Sequence, residues 1–194
     1  MKKENICRIF SEMPILTTDR FILRRLSLDD TDDMYEYAKD AGVTRFLTWS
    51  PHKDKGFTLE YLTYLQTRYK AGEFYDWAIV WKDSGKMLGT CGFTRFDCKN
   101  DFAEIGYVIN PEYHGQGIAT EVVGRVIKYG FENLMLNRIE CRFMEGNGAS
   151  RRVMEKNGMK FEGIMRGAML IKGDYKDIGV CAITRKDFFE KDPI

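Results

Sequence analysis

Apolar positions along the chain follow two periods, one near 3.6 and one of 2, and each switch between them marks where an element begins or ends. Residues 21–26 read as a first strand. Ser27 with Asp30 has the form of a reciprocal helix cap, and Leu28, Met34, Tyr35 and Ala38 follow at helical spacing, which predicts a helix to about residue 40. Beyond a loop holding Trp49, Ser50, Pro51 and His52, a second helix shows in Tyr61, Leu62, Leu65 and Tyr69 and stops at Gly72. From Phe74 the period becomes 2. Residues 77–81, a polar turn at 83–86 and residues 87–96 read as an antiparallel hairpin, joined across 97–101 by a third strand over 102–109. After Pro111 the pattern turns helical again, with Ala119, Val122, Val123, Val126, Ile127 and Gly130 on one face of the longest helix. A strand over 138–144, a helix over 149–157 and strands over 161–171 and 175–184 complete the chain. The first dozen residues are weakly patterned, so residues 1–14 are expected as a flexible leader before one mixed α+β domain over 15–190.

Composition narrows the function classes. The 194 residues are 44% apolar and 30% charged, ordinary for a globular domain. A formal net charge of +1 lacks the basic footprint of a chain that holds nucleic acid through its phosphates, so no nucleic-acid partner is expected. The five cysteines, Cys7, Cys91, Cys98, Cys141 and Cys181, are odd in number and irregularly spaced, which suits a reducing cytoplasm. No Cys-x-x-Cys occurs and the two histidines, His52 and His114, are far apart, so no metal site is expected. Lys2 and Lys3 precede no apolar run of signal-peptide length, and no stretch approaches a membrane span.

The informative chemistry lies in residues 104–120, a strand delivered through a glycine-rich turn into a helix. The first turn of a helix carries backbone N–H groups without internal partners, and its dipole favours negative charge. Gly115 and Gly117 remove side chains that would keep a diphosphate from those amides. A Walker phosphate loop is absent. A dinucleotide turn would need a third glycine where Thr120 stands and would follow the strand directly, whereas residues 110–113 intervene; the hairpins upstream also argue against a parallel sheet. The diphosphate of coenzyme A is the remaining candidate.

At these residues the chain resembles the GCN5-related N-acetyltransferases, in particular their RimJ/RimL-like branch, which includes ribosomal-protein N-terminal acetyltransferases. The resemblance is carried by Leu16-Thr17-Thr18-Asp19-Arg20-Phe21-Ile22-Leu23-Arg24, Ala103-Glu104-Ile105-Gly106-Tyr107, the glycine turn, Asn137-Arg138-Ile139-Glu140, and Asn147-Gly148-Ala149-Ser150 followed by Gly158-Met159. It implies a single domain with a mixed, mostly antiparallel sheet of about seven strands flanked by about four helices, an acetyl-coenzyme A donor, an amine acceptor, and a monomer or homodimer. It assigns Gly115, Gln116, Gly117, Ile118, Ala119 and Thr120 to the diphosphate, Tyr107, Val108 and Ile109 to the pantetheine arm, and Asn147 to the cofactor near its reactive end. His114 stands where the family's turn often begins with Gln or Arg, a departure that touches side-chain help to the phosphates and not the backbone cradle.

The expected reaction is direct attack of a neutral amine on the thioester, with positioning as the first contribution and a backbone N–H of Val108 or Ile109 serving the oxyanion. An α-amine costs about 1 kcal/mol to deprotonate at neutral pH and a lysine about 4.6, so an N-terminal substrate needs only a modest base. Glu104 matches the general base of histone-type members and is preferred over Glu140, used by some N-terminal acetyltransferases. Met154 replaces the tyrosine that many members use as the acid, and Ser150 is the substitute. The same residues have quieter readings: Glu104 and Glu140 as paired surface carboxylates, Asn147 and Ser150 as helix caps, His52 and His114 as solvated loop residues, and Trp77, Trp81, Phe93 and Phe96 as core. The acceptor is expected to be a protein or peptide N-terminal α-amine, against a small amine such as a polyamine, amino sugar or peptide antibiotic, or a non-catalytic acetyl-coenzyme A sensor. The loop around Trp49 and the hairpin at Lys172-Gly173-Asp174 would build its pocket.

Overall fold

A computed structural model describes residues 2–190. Eight strands form one sheet in the order β1-β2-β3-β4-β5-β6-β8-β7. These are β1 (Leu16–Thr17), β2 (Phe21–Arg24), β3 (Tyr75–Trp81), β4 (Met87–Asp97), β5 (Phe102–Ile109), β6 (Arg138–Met144), β7 (Lys160–Ile171) and β8 (Asp174–Thr184). Every neighbouring pair is antiparallel except β5 and β6, which run parallel. The two-residue β1 is an edge strand that the sequence pattern is too short to show.

The parallel pair is a consequence of the long helix α5 (Ile118–Glu132), which carries the chain back across the sheet between β5 and β6. Val122, Val123, Val126 and Ile127 of α5 are buried, Tyr129 meets the Trp77 ring edge-on at 5.9 Å, and a Cβ at Gly130 would come within 2.7 Å of Ile139. The helix therefore lies on the face that carries Trp77. On the other face α2 (Thr31–Ala38) packs against β4 and against α4 (Lys55–Lys70), with a short α3 (Ala41–Thr44) between them. The cap read at Ser27 and Asp30 forms, but it opens a 3-10 turn over Leu28–Asp30 before α2 begins, and Arg24 fixes Asp30 with two hydrogen bonds of 2.8 and 2.7 Å. Asp54 caps α4 by accepting from the Phe57 N–H at 2.7 Å, so that helix starts well before the apolar stripe that announced it. Two further helices, α6 (Gly148–Lys156) and α7 (Arg185–Phe189), complete the described chain.

The expectation of a flexible leader is corrected. Residues Lys3–Glu12 form α1, in which Ile6 and Phe10 are buried. Phe10 packs among Tyr75, Trp77, Phe93 and Phe96 with ring centroids 5.0 to 6.2 Å away, and the Trp77 Nε1–H donates to the Pro14 carbonyl at 2.7 Å. The helix also lies against the turn after α4: a Cβ at Gly72 would overlap the Cys7 carbonyl. Among the described residues no helix is long and apolar enough to cross a membrane.

Candidate active site

The site begins where β5 and β6 part. Their pairing runs from Phe102↔Arg138 to Ile105↔Cys141, while β5 continues to Ile109 and β6 to Met144. On its other edge β5 pairs with β4 throughout, with Gly89↔Ile109 and Cys91↔Tyr107 in register. The Asn110 N–H donates to the Leu88 carbonyl at 2.7 Å. Hydrogen-bonded and non-hydrogen-bonded pairs alternate along an antiparallel ladder, so Val108 bonds toward β4, whereas Tyr107 and Ile109 turn their N–H and C=O groups into the notch beside β6. Ile109, rather than Val108, is therefore the strand amide open to an oxyanion.

The turn after β5 is held from behind. Asn110 is buried, its Nδ2 donates to Glu36 Oε1 at 2.8 Å, and its Oδ1 accepts from the Glu112 N–H at 3.1 Å. His114 Nε2–H donates to the Ile109 carbonyl at 2.9 Å, so the residue expected to be a solvated substitute for Gln or Arg instead braces the turn. Gly115 and Gly117 have φ of 79° and 75°, the left-handed conformation that places the following amides outward. Arg20 secures the opposite side: its guanidinium donates to the Gln116 carbonyl at 3.1 Å and to Glu121 Oε2 at 2.7 Å. Burial opposes the charge on Glu121, but hydrogen bonds from Thr18 and Arg20 outweigh it and hold the carboxyl below its usual range. Among the described residues no backbone acceptor beyond the turn and helix themselves takes the N–H groups of 115–120. A coenzyme A diphosphate fits that set of donors.

These amides open on a cleft of about 410 Å³ that is lined by Tyr107, Val108, Ile109, Gly115, Gly117, Ile118, Ala119, Thr120, Asn147 and Ser150. All the expected cofactor residues are thus brought together except the Gln116 side, whose carbonyl turns inward to Arg20. Asn147 caps α6 by accepting from the Ser150 N–H at 3.2 Å. The Tyr107 hydroxyl lies 2.8 Å from the Ser150 hydroxyl and 3.1 Å from the Ser150 carbonyl. Burial pushes the Tyr107 phenol far above its ordinary value, against a smaller opposite effect of Ser150, so it stays protonated. Met154 is the buried residue of α6.

The two glutamates lie elsewhere. Glu104 and Glu140 are cross-strand neighbours, and arginines separate and neutralise them. Glu104 Oε2 is 3.3 Å from Arg142 Nε and 3.9 Å from Arg95 Nε; Glu140 is 2.7 Å from Arg138 and 3.6 Å from Arg142. Neither lines this cleft or its neighbour.

The neighbouring cavity, of about 450 Å³, lies under α2 and α4 and shares Val108 with the first. Tyr37, Trp49, Phe57, Tyr61 and Phe74 line it. His52, expected to be solvated, is buried there, with Nδ1 2.8 Å from Thr58 Oγ1 and Trp49, Phe57 and Tyr61 rings around it. Desolvation lowers its pKa, which favours the neutral imidazole. Asp76 of β3 lines the same cavity. Sequence reasoning passed over Asp76, although a carboxylate between Tyr75 and Trp77 in an apolar strand was a visible signal.

Residues 20–160 match the family model described as an acetyltransferase (GNAT) domain. An uncharacterized N-acetyltransferase, p20, of Bacillus licheniformis is 30% identical over 176 residues, covering 91% of this chain and 99% of that protein. The crystal structure of a GCN5-related N-acetyltransferase from Brucella melitensis superposes with a TM-score of 0.81 at 25% identity, covering 91% of this chain and 81% of that one. RimL, a ribosomal L7/L12 α-N-protein acetyltransferase solved with coenzyme A, shares the fold with a TM-score of 0.74 at 21% identity, over 88% of this chain and 98% of that one.

Proposed function

Because this chain belongs to the GNAT acetyltransferase family and takes its acetyl group from acetyl-coenzyme A, we propose that it transfers that group to the α-amine of a protein or peptide N-terminus, by direct attack with both substrates bound. The observation that carries this reading is the unpaired stretch of β5 between two cavities that meet at Val108. One cavity leads to the open amides of 115–120. The other is enclosed by aromatic side chains and suits the acceptor.

When bound, acetyl-coenzyme A supplies a thioester carbonyl for the amine to attack. The amides of 115–120 would hold its diphosphate, and the outward backbone of Tyr107 would receive its arm. The Ile109 N–H is the donor for negative charge on the carbonyl oxygen, worth about 3 kcal/mol where such a donor is preorganised. Ser150 is the proton source for the departing sulfur. Protonated Tyr107 can donate to the Ser150 oxygen while Ser150 gives up its own proton, and Tyr107 regains one from the surplus proton of the attacking nitrogen, so the pair acts where other members place the tyrosine missing at Met154. Glu104 and Glu140 serve this reading as counter-charges that lock β5 to β6 through Arg142. An α-amine is the acceptor that can do without a strong base, because it is already partly neutral near pH 7.

Peptides with free and with blocked N-termini, incubated with acetyl-coenzyme A and read by thiol release and mass spectrometry, test the proposal. Acetyl on the α-nitrogen of free peptides and silence from blocked ones is the expected result; preferential acetylation of lysine side chains or of polyamines refutes it.

A further inference from the structure

The acceptor cavity contains a carboxyl group without a counter-charge. Burial opposes the charge on Asp76 more strongly than Thr90 and the Trp77 N–H favour it, and its Oδ1 is sealed from solvent and has no hydrogen-bond partner among the described residues. The space it occupies exists because residue 92 is glycine: a Cβ there would stand 2.7 Å from Asp76 Oδ1 and 2.4 Å from its Cα. The titratable groups around it are Tyr37 from α2, Tyr61 and Tyr69 from α4, His52 from the loop before α4 and, on the other face of the sheet, Cys91 from β4, all neutral near pH 7. Glu104 and Glu140 have arginines within 4 Å, and Asp76 has neither an arginine nor a lysine among the groups acting on it. A buried carboxylate in apolar surroundings needs a cation or a proton. The enzyme's own acceptor brings both, in the form of an ammonium group.

We propose that Asp76 anchors the acceptor, receiving the α-ammonium group inside the aromatic cavity and taking its first proton, and that the cavity selects N-termini whose first residue is apolar or aromatic. The inference rests on the α-amine reading above. Asp76 lies in the register Asp76↔Gly92↔Gly106, two strands from β5. That is roughly 10 Å across the sheet, more than two hydrogen bonds span, so the amine gives up its proton before it moves toward β5, and the positions abreast of Asp76 on β4 and β5 are both glycines. Burial raises the Asp76 carboxyl from 3.8 to about 7, against weaker opposition from Thr90 and Trp77. Proton transfer from an α-amine of pKa about 7.8 is then only roughly sixfold uphill, whereas from an alkylamine near 10.4 it is on the order of a thousandfold or more. The balance closes as follows: one proton passes from R–NH3+ to Asp76, and the neutral nitrogen forms its C–N bond as the thioester C–S bond breaks. The nitrogen's surplus proton reaches the thiolate through Ser150 and Tyr107, and Asp76 returns its proton to water.

Calorimetry at about pH 7.5 with coenzyme A present, using phenylalaninamide and its uncharged analogue 3-phenylpropanamide, reads the anchor directly. Asp76→Asn should weaken phenylalaninamide by about tenfold or more and leave 3-phenylpropanamide and coenzyme A unchanged; equal binding of phenylalaninamide to both proteins overturns the proposal. In turnover, kcat/KM against pH should lose its limb near pH 7 in Asp76→Asn, and Thr90→Val should move that limb upward by removing a hydrogen bond to the carboxylate. If Asp76→Asn does not fold, an unmoved limb in Thr90→Val is the overturning result. Charge-selective binding that depends on Asp76, in a wild-type protein that acetylates no α-amine peptide, upholds the anchor and sinks the acceptor reading.

Discussion

Tyr107 presents two different sets of atoms to the cleft. Its backbone turns into the notch because of ladder parity, and its hydroxyl reaches Ser150 across the cleft. The side-chain role was hidden in the sequence, since residues 107 and 150 are related only by the packing of α6 over β5; what could be read there was the strand itself and Ser150 as a stand-in for the tyrosine absent at Met154. Tyr107→Phe and Ser150→Ala should each lower kcat by about ten- to a hundredfold with little change in coenzyme A affinity. The double variant should fall little further, because in the proposed mechanism the two hydroxyls form one relay. Independent, multiplicative losses in steady-state kinetics would show that they act separately. Asp76 was hidden for another reason: pattern reading treats one polar residue in a strand as an outward-facing position, and its burial depends on α2 and α4 closing over that face.

At the scale of elements, the glycine turn was the most legible part of the chain, because its two left-handed glycines and the helix that follows are local features. Gly117→Asp would add a side chain at a φ of 75° and a negative charge beside the diphosphate amides. Affinity for coenzyme A should drop at least about a hundredfold, and calorimetry showing unchanged affinity would remove the phosphate role from this turn. Helix α1 illustrates the opposite case. Its ten residues lack a side-chain N-cap and have only Ile6 and Phe10 fully inside, too little periodicity to announce a helix. The aromatic pocket that receives Phe10 is assembled from β3 and β4, far along the chain. Phe10→Ala should cost about 3 to 5 kcal/mol of unfolding free energy and expose the Trp77 surroundings; a denaturation midpoint equal to wild type would mean that α1 is dispensable. The 3-10 turn before α2, the short α3 and the early start of α4 also differ from the sequence reading, each because a side-chain cap rather than the apolar stripe sets the boundary.

Across the whole molecule the sheet is continuous on either side of one discontinuity, the point where β5 and β6 diverge. Every strand of more than two residues was foreseeable from alternation, and so was the mixed α+β class, but the divergence depends on how α5 and α6 wedge against the strands and has no local signature. Both cavities open at that point, and among the described residues the only one common to their walls is Val108. β5 therefore acts as a party wall. The proposed hold on the diphosphate and the arm uses main-chain groups, while the opposite cavity is lined by replaceable rings and one aspartate. A lineage could thus change what it modifies by exchanging side chains on a single side of that partition, and its hold on the acyl carrier would be left intact.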